Sequence, residues 1–154
     1  MTLNYDYVRD ILLFIEKNLN YEHFDKLPMN HRKIMYGQLL SDVAFDGYDK
    51  QELLYALELL IKEGYIDCLN IRFVNGNLLN ANIVGLTWSG HNLLDNIRND
   101  TVWNAVKQKA KKVGGVSLSA LAKGAGTLAN ALLSDPDAVQ NFMQGIQNIG
   151  NIFS

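Results

Sequence analysis

Only one cysteine, Cys68, occurs among the 154 residues. A lone thiol excludes an intramolecular disulfide framework and a zinc site built from several cysteines. It also points to a reducing compartment, so a cytoplasmic protein is expected. Proline occurs twice, as Pro28 in a stretch without periodicity and as Pro136 near the end of the chain. No run of about 18 uncharged apolar residues exists, so no membrane span is expected. The opening Met-Thr-Leu-Asn-Tyr-Asp carries no basic segment and no early apolar run, so no signal peptide is expected. No nucleophile motif, zinc-protease helix or phosphate loop is present, so the expectation is a protein that is not an enzyme and holds no cofactor or metal.

Basic charge is scarce in the first two-thirds. Residues 1–98 hold 9 Lys/Arg against 13 Asp/Glu, a net of −4, whereas residues 99–154 hold 5 against 3, a net of +2. A DNA-binding protein usually shows a basic footprint over its reading element, and this imbalance restrains that function. What is abundant is apolar: 48% hydrophobic and 19% charged residues is the composition of a globular chain.

Apolar periodicity then divides the chain. Val8, Ile11, Leu12, Ile15 and Leu19 line one face of a helix over Tyr5–Asn18, with Asn4 as N-cap. Residues 20–30 read as a loop. The stretch 33–45 is ambiguous: Leu39, Leu40, Val43 and Ala44 suit a short helix, and Ile34-Met35-Tyr36 a short strand. Asp46-Gly47-Tyr48 is a turn, and Asp49 with Glu52 has capping-box spacing. The next helix, from Lys50 to Glu63, should bury Leu53, Leu54, Leu57, Leu60 and Ile61 and stop at Gly64. Residues 65–74 are rich in β-formers, Asn75-Gly76 signals a hairpin turn, and residues 82–86 form the return strand. Thr87 then caps a helix over 88–98. Asn99 or Asp100 caps one over 101–113, with Val102, Trp103, Val106, Ala110 and Val113 inward, until Gly114-Gly115 stops it. Ser117 starts a helix to about residue 133, and Asp135-Pro136 opens a last one.

That order predicts an α+β winged helix-turn-helix domain over 1–98, with a C-terminal all-helical extension over 99–154. In such folds the helix before the hairpin reads the target and the hairpin is the wing. Lys50, Gln51, Tyr55, Glu58, Lys62 and Glu63 are its expected exposed residues. Gln51 and Tyr55 suit base edges or phosphates, Lys50 and Lys62 suit phosphates, and Asp49, Glu52, Glu58 and Glu63 oppose them. The wing offers Arg72 and an uncharged tip with Asn75 and Asn77. The strongest basic run is Lys107, Lys109, Lys111 and Lys112, either a solvated face or a phosphate-contacting one.

The segment Leu86-Thr87-Trp88-Ser89-Gly90-His91-Asn92-Leu93-Leu94-Asp95, followed by Asp100-Thr101-Val102-Trp103-Asn104-Ala105-Val106-Lys107, resembles a family of bacterial and phage proteins numbered 2513 among domains of unknown function. Residues 6–13 and the helix ending in Lys62-Glu63-Gly64-Tyr65-Ile66 fit it too, and the resemblance runs over roughly residues 3–125. The stretch Tyr21–Asp42 is longer than the family pattern, and Ala56 stands where a histidine is common. The resemblance implies a winged-helix-like fold and a phage or prophage context, and it implies no activity.

His91 reads as a packing histidine beside the wing base, with no second histidine at metal-ligand spacing. Gly124-Ala125-Gly126-Thr127-Leu128-Ala129 has the letters of a dinucleotide fingerprint but lies in a helical pattern without the strand that motif needs. Leu118, Leu121, Ala125, Leu128 and Leu132, continued by Val139, Phe142, Ile146, Ile149 and Phe153, form a heptad stripe. The stripe either folds back on its own domain or mediates self-association, and a homo-oligomer through Leu118, Leu121, Leu128, Leu132, Phe142, Ile146 and Ile149 is expected. Two functions stay open: an oligomeric regulator that binds double-stranded DNA, and a module that binds a host or phage protein.

Overall fold

The computed structural model describes residues 2–19 and 33–144. The loop expected over 20–30, His23, His31, Ile146 and Ile149 lie outside these residues. The described chain is α+β and divides into two compact units, residues 1–91 and 92–154.

In the first unit, α1 (Tyr5–Asn18) starts where the Asn4 side chain accepts the Tyr7 amide, and it buries Val8, Ile11, Leu12 and Ile15. The ambiguous stretch contains both candidates: β1 (Ile34–Met35) leads directly into α2 (Tyr36–Ser41), and a single 3-10 turn follows over Val43–Phe45. Phe45 is wholly buried, with its ring 5.1 Å from Phe14 and 5.2 Å from Tyr48. Helix α3 (Lys50–Lys62) is capped by Asp49, whose carboxylate accepts the Gln51 and Glu52 amides. Only half of the expected capping box forms. The Asp49 amide donates to the Tyr7 hydroxyl, and Glu52 accepts from the Asn4 side chain instead. Gly64, at φ +80°, ends α3 in a Schellman closure in which the Tyr65 amide reaches the Leu60 carbonyl.

The ribbon of β2 (Ile66–Val74) and β3 (Asn77–Leu86) turns at Asn75 and Gly76, both at positive φ, as a two-residue hairpin of this sequence requires. Its return strand is longer than the sequence pattern indicated. β1 pairs with β3 through Ile34–Ile83 and Met35–Asn82, so the sheet is antiparallel with order β1-β3-β2. Register shifts near Asp67, between Leu69 and Arg72, and at Arg72/Phe73 break the ladder, and Asn70 takes φ +54° in the second. Such bulges bend and twist a strand and blunt an exposed edge. Helices α1 and α3 pack against each other and α1 against β3, which places Leu53, Ala56, Leu57, Leu60 and Ile83 in one core.

Helix α4 (Trp88–Ile97) begins in this unit. Thr87 fixes its start: its hydroxyl donates to the Gly64 carbonyl and accepts the Gly90 amide, and its own amide donates to the Tyr65 carbonyl. A Cβ on Gly90 would run into that Tyr65 carbonyl oxygen, so only glycine lets the helix sit so close.

The second unit is helical throughout its described part. Leu93, Leu94 and Ile97 are buried. Asn99 caps α5 (Asp100–Lys112) by accepting the Thr101 and Val102 amides. Val102, Trp103, Val106 and Ala110 face inward as expected, but Val113 is 51% exposed, because the chain leaves the helix there into Gly114-Gly115. Helix α6 (Leu118–Ser134) is capped by Ser117 and packs on α5. After Asp135 the chain makes a turn through Pro136, and the described helix runs over 138–144, so proline lies ahead of the first helical residue.

Candidate functional site

α3 and the ribbon are joined by two side-chain ties. The Glu58 carboxylate accepts the Leu78 amide at 2.8 Å, and Glu58 is only 9% exposed. One turn later the Lys62 ammonium donates to the Gly76 carbonyl at 3.1 Å and lies 4.8 Å from the Phe73 ring centroid. Glu58 is therefore not one of the exposed acids expected on the reading face. Its carboxylate satisfies a backbone N–H that would otherwise be buried without a partner.

The expected contact residues fall into distinct roles. Lys50 is exposed, but its ammonium donates to the Leu40 and Phe45 carbonyls, both at 2.8 Å, and so closes the ends of α2 and the 3-10 turn. Gln51 is exposed and Tyr55 half-buried on α3, with Leu59 half-buried beside them. Arg72 is exposed on β2, paired in register with Asn80. Asn75 and Asn77 are exposed at the hairpin tip. Thus both lysines of α3 are bound to backbone carbonyls, and Arg72 is the ribbon's sole cation.

The ribbon presents apolar side chains. Leu69 is 57% exposed, Ile71 46%, Val74 43% and Leu79 51%. Met35 and Leu69 flank Asn82 on either side in register and share its face of the sheet, and both are open to solvent while Asn82 is 8% exposed. Trp88, at 81%, is a further exposed aromatic, held at the fixed start of α4. Sequence periodicity had no means of finding these, because a β-former on an open ribbon face carries the same letters as one in a core.

Cys68 is half-buried, and burial with the neighbouring Asp67 charge pushes its thiol up to about 12. His91 is half-buried and its amide continues α4 back to Thr87. Among the described residues no group of three or more His, Cys, Asp or Glu is placed to hold a metal ion, and no described helix is long and apolar enough to cross a membrane.

In the second unit Leu118, Leu121 and Leu128 are buried inside the monomer, at 3%, 1% and 2% exposure. These three expected self-association residues therefore pack within their own unit. The reason is that α5 supplies the complementary apolar face. Leu132 is half-buried, and Phe142 is half-buried with the Lys109 ammonium 4.3 Å from its ring. Lys107 is half-buried with its ammonium 5.9 Å from the Trp103 ring, and Lys111 is exposed. Gly124 and Gly126 lie inside α6 with no strand before them, so the dinucleotide-like letters carry no phosphate loop.

These features define an α+β chain with a three-stranded antiparallel sheet, an apolar ribbon and a helical second unit. The family model described as "Hypothetical protein (DUF2513)" matches residues 2–117, and the chain belongs to that family. A curated relative from Haemophilus influenzae (strain ATCC 51907 / DSM 11121 / KW20 / Rd), named "Uncharacterized protein", is 36% identical over 135 residues, which cover 87% of this chain and all of the relative. No solved structure matches.

Proposed function

We propose that residues 1–91 form a winged-helix frame that docks a partner protein through the ribbon and the adjoining face of α3. The element order α1-β1-α2-α3-β2-β3 and the strand order β1-β3-β2 support the winged-helix assignment. The observation that carries the docking role is the ribbon: four exposed aliphatic side chains stand where a DNA-contacting wing needs cations. Leu69 lies with Met35 on the Asn82 face, and Val74 with Leu79 on the Asn77 face, so each face carries a pair of exposed apolar side chains rather than a single one. Gln51, Tyr55 and Leu59 extend the surface with uncharged groups, beside Glu52 and Glu63. The role is non-enzymatic binding. In the native bacterial host, a photocrosslinking residue at position 79 is expected to yield one discrete protein adduct, and Val74→Lys, on the same face of the ribbon, is expected to abolish it. No adduct at position 79, or one insensitive to Val74→Lys, overturns the reading.

A second reading rests on α5. Lys107, Lys109, Lys111 and Lys112 put four cations on thirteen residues, in a unit of net charge +2. As a phosphate-contacting face this run supports double-stranded DNA binding by the second unit. Lys107→Glu with Lys111→Glu would then weaken duplex binding and flatten its salt dependence.

A further inference from the structure

A cleft of about 380 Å³ opens on the first unit, and it shares no residue with the ribbon. Its walls come from the second half of α1 and from the 42–48 segment. Leu13, Phe14, Ala44 and Phe45 give it an apolar floor, and Val43 stands on it 80% exposed. The polar lining is unequal: Asp10 and Asp42 contribute carboxylates, against the single ammonium of Lys17. Both carboxylates are held in place. Asp10 accepts the Tyr48 hydroxyl at 2.7 Å, and Asp42 accepts the Ala44 amide at 2.9 Å. The Tyr48 ring packs against that of Tyr7, with centroids 4.6 Å apart and planes tilted by 35°, which holds the aromatic wall.

We infer that this cleft receives an arginine side chain from a partner polypeptide. An arginine has an apolar stem and a planar cation at its tip, and it buries the first while keeping polar partners for the second. The floor suits the stem, and the carboxylates and tyrosine suit the guanidinium, which pairs with carboxylates and stacks on aromatic faces. The complementarity extends beyond the cleft, since residues 1–91 carry 8 Lys/Arg against 12 Asp/Glu. A phosphate-bearing ligand is disfavoured by the same charges. The hydroxyl of Tyr48 is protonated at neutral pH even at its ordinary value of 10.0, and its bond to Asp10 and its burial push it further up, to about 12.

The test is an NMR titration of the full chain with acetyl-Leu-Arg-Leu-amide and with the same peptide carrying norleucine in place of arginine. The arginine peptide is expected to give saturable amide shifts at Asp10, Phe14 and residues 42–48. The norleucine peptide and the double variant Asp10→Asn/Asp42→Asn are each expected to bind at least about tenfold more weakly, the loss of about one charge-assisted pair. Asparagine keeps an acceptor oxygen for the Tyr48 hydroxyl and the Ala44 amide, and an unchanged amide spectrum of the variant checks its fold. Equal binding of the two peptides, shifts elsewhere only, no shifts at millimolar peptide, or undiminished binding by the folded variant each overturns the inference. A failure here leaves the crosslinking test at position 79 intact, since the two surfaces have no residue in common.

Discussion

The two units use small residues and polar groups in opposite ways. In residues 1–91 the elements are locked by polar ties of long sequence separation: Glu58 to the Leu78 amide, Lys62 to the Gly76 carbonyl, Thr87 to Gly64, Tyr48 to Asp10. Gly90 is there because no side chain fits. In residues 92–154 the α5–α6 contact is an apolar stripe, and Gly124 has only Val106 near, at 3.9 Å from where a Cβ would stand. The first unit is therefore specified by directional contacts, and the second by periodicity. A unit of the first kind has few ways to pack its ribbon, which keeps its exposed aliphatic side chains in one geometry.

Glycine substitution gives the sharpest contrast. Gly90→Ala should destabilise the first unit by about 3 kcal/mol, because the new methyl group meets backbone that cannot move aside. Urea unfolding followed by amide signals of both units would show the loss, and a neutral result would break the contrast. Glu58→Ala comes next, at about 2 kcal/mol, since the Leu78 amide is left buried without an acceptor. Glu58→Gln keeps an acceptor and should recover most of that loss. If both variants cost the same, charge and not the hydrogen bond holds the ribbon.

Tyr48→Phe removes one hydrogen bond and should cost about 1 kcal/mol near neutral pH. Its pH dependence has a defined sign. The Tyr48 hydroxyl titrates higher in the folded protein than its ordinary value of 10.0, up to about 12, so its contribution is complete below pH 10 and is lost as pH rises through about 12. The stability difference between wild type and Tyr48→Phe, measured by denaturant unfolding, should therefore shrink over that interval. The smallest effect is Gly124→Ala, which should stabilise α6 by about 0.5–1 kcal/mol because a helix interior favours alanine and the new Cβ would meet Val106 only at an ordinary contact distance. A loss at Gly124 as large as at Gly90 would mean that both units depend on close backbone approach.

Much of the fold was legible in the letters because it is local. Asn4, Asp49, Thr87, Asn99 and Ser117 cap as their types and positions indicate, and Asn75-Gly76 turns the ribbon. What was not legible is long-range. A glutamate on α3 reads as solvent-facing until the partner strand brings an amide to it from 20 residues away. Lys50 reads as a phosphate ligand until two carbonyls close on it. The heptad-spaced leucines of α6 fit a second copy as well as they fit α5, and spacing alone does not choose between them. The cleft beside Tyr48 left no trace, because its lining comes from two segments that carry no motif between them.

On the proposed reading α3 and its ribbon meet a protein and not DNA. Fluorescence anisotropy of a labelled duplex at about 50 mM salt, with wild type and with Gln51→Ala/Arg72→Ala, tests it most directly. The double variant is expected to bind duplex no more weakly than wild type, whether or not the α5 lysines confer some affinity. A steep, salt-sensitive affinity that Gln51→Ala/Arg72→Ala removes would contradict it.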